Sequence, residues 1–91
     1  MKHEELQYWG FTRTSEGYER TITKPSSLEG YGNYGFRLVI KETENGIVVD
    51  ENWIFNDKEE SKRTFTMKDY KVKSEDDLIP YFKYRFQMYN F

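Results

Sequence analysis

The chain predicts an α+β fold: an antiparallel β-meander of about five strands with one C-terminal helix packed on one face. Three observations carry that expectation. Asn45-Gly46 stands between two apolar runs rich in β-branched residues, within YGFRLVIKETENGIVVDENWIF (residues 34–55), and Asn-Gly in that setting is a strong short-range hairpin signal. Further short stretches alternate with the period of two that a strand requires, as in KRTFTMK (62–68). The last eighteen residues, SEDDLIPYFKYRFQMYNF, switch to a helical period.

In chain order, LQYWGFTRT (6–14) and YERTITK (18–24) are rich in aromatic and β-branched residues and read as the first two strands. Ser15-Glu16-Gly17 suits a three-residue loop with Gly17 in the left-handed region, setting Arg13 opposite Glu19 and Gly10 opposite Ile22. Gly10 then lies mid-strand, where it marks a bulge or a close backbone approach. Pro25 ends the second strand, because it has no N–H to give a ladder. PSSLEGYGNYG (25–35) follows as the longest connection, rich in glycine and tyrosine.

A two-residue Asn45-Gly46 turn makes Glu44 the partner of Ile47, Ile40 of Glu51, Leu38 of Trp53 and Phe36 of Phe55. One face then carries Phe36, Leu38, Ile40, Ile47, Val49, Trp53 and Phe55, with Glu51 as the misfit in its middle. The other face sets Lys41 by Asp50 and Val39 by Asn52. NDKEES (56–61) is a polar turn leading to a fifth strand at 62–68, with Phe65 and Met67 on one side. In the terminal segment Leu78, Phe82, Phe86 and Tyr89 make a helical stripe, with Met88 and Phe91 beside it. Asp77 is the expected cap, placing Pro80 in the first turn, where its missing N–H costs nothing.

Ninety-one residues make one domain, 1–91. Aromatics reach 19% and alanine is absent, so large rings must supply the core. There is no cysteine, which removes disulfide and thiolate chemistry. No apolar run approaches the roughly 20 residues of a membrane span, and the first residues do not resemble an export signal, so a cytoplasmic location is the expectation. Heavy use of Lys, Asn, Tyr, Phe, Ile and Glu without alanine suggests AT-rich coding, hence a low-GC bacterium or one of its phages.

Catalytic constellations are missing. Gly30-Tyr31-Gly32-Asn33-Tyr34-Gly35 matches G-x-G-x-x-G, but a dinucleotide site needs a strand before it and a helix after it, and here a strand follows. One histidine, His3, and no cysteine cannot build the usual zinc or nucleophile sites. The carboxylates Asp50-Glu51, Glu59-Glu60 and Glu75-Asp76-Asp77 have simpler roles in pairing, solvation and capping, and Ser26-Ser27 has no nucleophile elbow. No enzyme activity, cofactor or metal is expected.

The expected function is a small non-enzymatic module, from a phage or mobile element, that binds and inhibits a host or partner protein. Tyr31, Asn33, Tyr34 and Trp9 are the expected contact residues, since tyrosine on a glycine-rich loop brings large rigid area at low entropic cost. Tyr81 and Tyr84, on the outer side of the terminal helix, are the expected homodimer contacts. The alternative is single-stranded nucleic-acid binding. Six basic against three acidic residues between Lys58 and Lys73, interleaved with Phe65 and Tyr70, resemble a stacking groove whose cations are Lys62, Arg63, Lys68 and Lys71. The net charge of −2 argues against it.

Overall fold

The computed structural model describes residues 2–89, with the backbone alone at 88 and 89. Five strands form one antiparallel sheet in sequence order: β1 (Thr12–Arg13), β2 (Gly17–Pro25), β3 (Asn33–Thr43), β4 (Gly46–Phe55) and β5 (Lys58–Thr66). Helix α1 (His3–Tyr8) precedes them. A short α2 (Met67–Tyr70), a 3₁₀ turn (Glu75–Leu78) and the terminal helix α3 (Ile79–Tyr89) follow. The fold is the α+β meander that the sequence predicts.

Helix α3 lies over the apolar face. Leu78, Ile79, Phe82 and Phe86 are buried, together with Phe36, Leu38, Ile40 and Val49 from the sheet and with Leu6 and Phe11. Phe86 packs edge-on to Phe36 at 5.6 Å and to Phe11 at 5.7 Å between ring centroids. Pro80 sits in the first turn of α3 as expected, and the start is the 3₁₀ turn, where the Asp77 N–H donates to the Ser74 carbonyl at 3.1 Å. The stripe residue Tyr89, and Met88 and Phe91 beside it, lie outside the described side chains.

The central hairpin has the expected faces but a register shifted by two. Glu42 pairs with Ile47, Leu38 with Glu51 and Phe36 with Trp53. The turn residues are Glu44-Asn45, and Gly46, with φ of 108°, is the left-handed residue that opens β4. Asn45 is not left-handed, so the Asn-Gly pair does not form the mirror-image turn that the expected register needs. The Thr43 hydroxyl instead closes the turn, donating to the Gly46 carbonyl at 2.6 Å and accepting from the Asn45 N–H at 3.3 Å. A shift of two preserves side-chain direction, which is why the apolar face survives. The turn with both central residues left-handed is the next one, Asn56 (φ 51°) and Asp57 (φ 66°). It brings the fifth strand forward to Lys58.

The N-terminal strand is a correction. Residues 3–8 form a helix, with Glu4 and Glu5 in its first turn, where acidic groups suit the dipole. Gly10, with φ of 87°, stops it. The Gly10 N–H donates to Gln7 and the Phe11 N–H to Leu6, both at 3.0 Å, so this glycine is a helix stop of the Schellman kind and not a strand bulge. The loop before β2 also differs. Gly17 lies in the strand, and the Thr14 hydroxyl accepts its N–H at 3.0 Å. The register becomes Arg13 opposite Tyr18 and Thr12 opposite Glu19. At the other end, β5 stops at Thr66, because the Asp69 carboxylate accepts both its N–H (2.7 Å) and its hydroxyl (3.2 Å), starting α2 at Met67.

Candidate functional site

The outer face of the sheet is polar and internally matched. Arg37 bridges Glu19 at 2.8 Å and Glu59 at 3.1 Å. Asp50, buried, accepts from Lys41 at 2.9 Å and from the Thr64 hydroxyl at 2.8 Å, with the Lys62 ammonium 3.5 Å away. Burial works against ionisation of Asp50, but these donors and cations outweigh it and hold its carboxyl below the ordinary value. Hydrogen bonds to Glu19 and Glu59 in turn raise the Arg37 guanidinium. A face with its charges matched in this way offers little to a ligand.

The apolar face ends differently. Antiparallel pairing sets Ile22, Phe36, Trp53 and Ser61 in one row across four strands. Two residues further along β2, β3 and β4 come Lys24, Tyr34 and Phe55, and three along β5, past a register shift between Trp53 and Ile54, comes Lys58: Lys24 pairs with Tyr34, and Phe55 with Lys58. Tyr34 is 39% and Phe55 52% exposed. The Phe55 ring stacks on half-buried Trp53 with 6.5 Å between centroids and 19° between planes. Two exposed aromatic rings are thus flanked by two exposed lysines.

Directly beyond this row the glycine-rich connection meets the Asn56-Asp57 turn. The Gly32 N–H donates to the Asn56 side-chain oxygen at 2.7 Å, and the Asp57 N–H to the Asn33 carbonyl at 2.9 Å. The Asp57 carboxylate accepts from both the backbone N–H (3.1 Å) and side-chain amide (2.9 Å) of Asn33. An added Cβ at position 32 would lie 2.0 Å from the Asp57 carboxylate oxygen, so any other residue there must displace the side chain that holds Asn33. The connection is therefore tied down as a tip, from which Leu28 (62%) and Tyr31 (63%) project. Leu28, Tyr31, Tyr34, Trp53 and Phe55 make one aromatic end to the molecule.

Of the sequence-predicted contact residues, Tyr31 and Tyr34 come together here. Asn33 is in the same place, as the anchor of the tip. Trp9 is elsewhere: it caps α1, half-buried against the core, with the Lys83 ammonium 4.2 Å above its ring and Tyr8 edge-on at 5.3 Å. Phe55 and Leu28 were missed. The expected register pairs Phe55 with Phe36 in the core, and the two-residue shift moves it past the covered rows. Tyr81 (45%) and Tyr84 (57%) are exposed and line, with Pro80, a shallow hollow of about 210 Å³ on α3. Lys62, Arg63, Lys68 and Lys71 are all exposed, but Lys62 and Arg63 are consecutive strand residues and project to opposite faces.

No protein-family model, curated protein or solved structure matches the chain. Among the described residues, no helix is long and apolar enough to cross a membrane.

Proposed function

We propose that this chain is a non-enzymatic binding module that docks on another protein through its aromatic tip. One observation carries the reading: Tyr31, Tyr34 and Phe55 are held exposed on a hydrogen-bonded end of the sheet rather than folded into the core. Rings presented on a pre-ordered scaffold lose little freedom on binding and are the usual anchors of an interface. The composition supports a cytoplasmic setting, and the mode of action is inhibition of a larger protein of a bacterial host by a phage or mobile-element product that covers part of its surface. Tyr81 and Tyr84 supply a second surface, suited to a homodimer. The nucleic-acid reading has weaker support, because Lys62 and Arg63 point to opposite faces of β5 and Lys68 and Lys71 lie beyond its end, in and after α2.

The test uses the whole chain as bait, wild type against Tyr31→Ala/Phe55→Ala. A specific protein retained by the wild type and lost with the double variant supports docking at the tip. The same retained protein in both, or none in either, overturns it.

A further inference from the structure

We propose that the outer edge of β2, from Arg20 to Pro25, takes up an extended acidic segment of the partner protein as an added strand. This deepens the docking reading and rests on it. Strand β1 pairs only with Tyr18 and Glu19, whereas β2 runs on to Pro25, paired along its other side with β3. The Gly17 carbonyl accepts the Thr14 N–H at 2.8 Å, so residue 17 turns its backbone polar groups toward the β1 side. Alternation along an antiparallel strand gives Glu19, Thr21 and Thr23 the same direction. Beyond Glu19 no strand among the described residues meets them, and Thr21, Thr23 and Lys24 are exposed.

The two edges of the sheet differ in how they meet solvent. Strand β5 carries Lys58, Glu59, Glu60, Lys62 and Arg63, the mixed charge that discourages strand addition. The open part of β2 reads Arg-Thr-Ile-Thr-Lys, β-branched in its middle and without an acid; the Arg20 guanidinium lies over the Phe86 ring at 4.3 Å, while Lys24 is exposed. Its nearest carboxylate in sequence, Glu19, is engaged by Arg37. Neither Lys24 nor Lys58 has an ion-pair partner among the described residues.

Charge selects the occupant. A strand added here would set alternate side chains beside Ile22 and Lys24, in line with the Phe36–Trp53 and Tyr34–Phe55 rows. An apolar group beside Ile22 and a carboxylate beside Lys24 satisfy both positions. A second copy of this chain fits poorly. Antiparallel β2–β2 pairing centred on Ile22 places Arg20 against Lys24 of the other copy twice, and like charges directly opposed are destabilising.

The experiment follows the backbone amides of the whole ¹⁵N-labelled chain by NMR, with the capped peptide Thr-Glu-Thr-Val-Thr-Glu-Thr-Val as probe, whose one face alternates glutamate and valine, and its lysine-for-glutamate counterpart as control. With the glutamate peptide, the Thr21 and Thr23 amides shift and exchange with solvent at least ~10-fold more slowly, and affinity falls as salt rises. Thr21→Pro removes an outward N–H while leaving the β3 ladder intact, and weakens binding about 10-fold or more. Lys24→Glu weakens the glutamate peptide and strengthens the lysine peptide, an arm that holds even if the proline variant fails to fold. Unchanged Thr21 and Thr23 amides at millimolar glutamate peptide, an equal response to the lysine peptide, or shifts mapping to β5 would each overturn the proposal. So would protection of the same amides by self-association without peptide, or by an oligothymidylate. Shifts confined to Tyr31 and Phe55 sink strand addition while leaving docking at the tip intact.

Discussion

Glu51 is a carboxylate in the middle of an apolar face, and the partner that makes it tolerable comes from across the molecule. Arg85 of α3 reaches it at 2.8 Å, with the Tyr70 hydroxyl at 3.5 Å. Burial, reinforced by the Glu51 charge, pushes the Tyr70 phenol above its ordinary value. Removing Arg85 leaves the buried Glu51 carboxylate without its cation, so Arg85→Ala costs about 3 kcal/mol in urea unfolding, while Glu51→Leu/Arg85→Leu costs much less. Asp50, its neighbour on the other face, behaves differently. A carboxyl whose folded pKa lies below its unfolded value of about 3.9 contributes its stability in full above that value and loses it as pH falls through the folded one. Asp50→Asn is therefore less stable than the wild type at pH 7, and the gap closes as pH falls below about 4, measured by urea midpoints at pH 7 and pH 3.

At the scale of elements, Gly10 tests the N-terminal correction. A Cβ there forces an L residue into φ of 87° and meets the Arg20 Nε at 3.0 Å, so Gly10→Ala destabilises by about 1–2 kcal/mol and lowers helical circular dichroism. The strand reading of 6–14 holds only at Thr12–Arg13; before it, a run of good helix formers closed by Gly10 outweighs the aromatic content of Tyr8 and Trp9. In the central hairpin the alternation of residues 36–40 and 47–53 was enough to assign the faces, because side-chain direction depends only on parity. The pairing was not readable, because it depends on which turn residues accept positive φ, and Asn56-Asp57 took the geometry expected of Asn45-Gly46. The terminal helix was legible from the spacing of Leu78, Phe82 and Phe86, all of them buried.

At the scale of the whole molecule, two groups of aromatic residues have opposite roles. Phe11, Phe36, Phe82 and Phe86 are buried, whereas Tyr31, Tyr34 and Phe55 gather at the tip. The tyrosine-rich connection could be picked out from its composition, but Phe55 could not, since its place depends on long-range pairing. Nor could the hydrogen bonds from Gly32 and Asn33 to the Asn56-Asp57 turn, which join residues 24 positions apart. If the tip serves an interface and not the fold, its rings can be removed without unfolding the chain. Urea unfolding of Tyr31→Ser/Tyr34→Thr/Phe55→Thr is the most direct measurement of that claim. The account predicts a loss below about 1.5 kcal/mol, against about 3–5 kcal/mol for Phe82→Ala alone. A loss for the tip variant as large as that for Phe82→Ala would contradict it, placing those rings in the folding core.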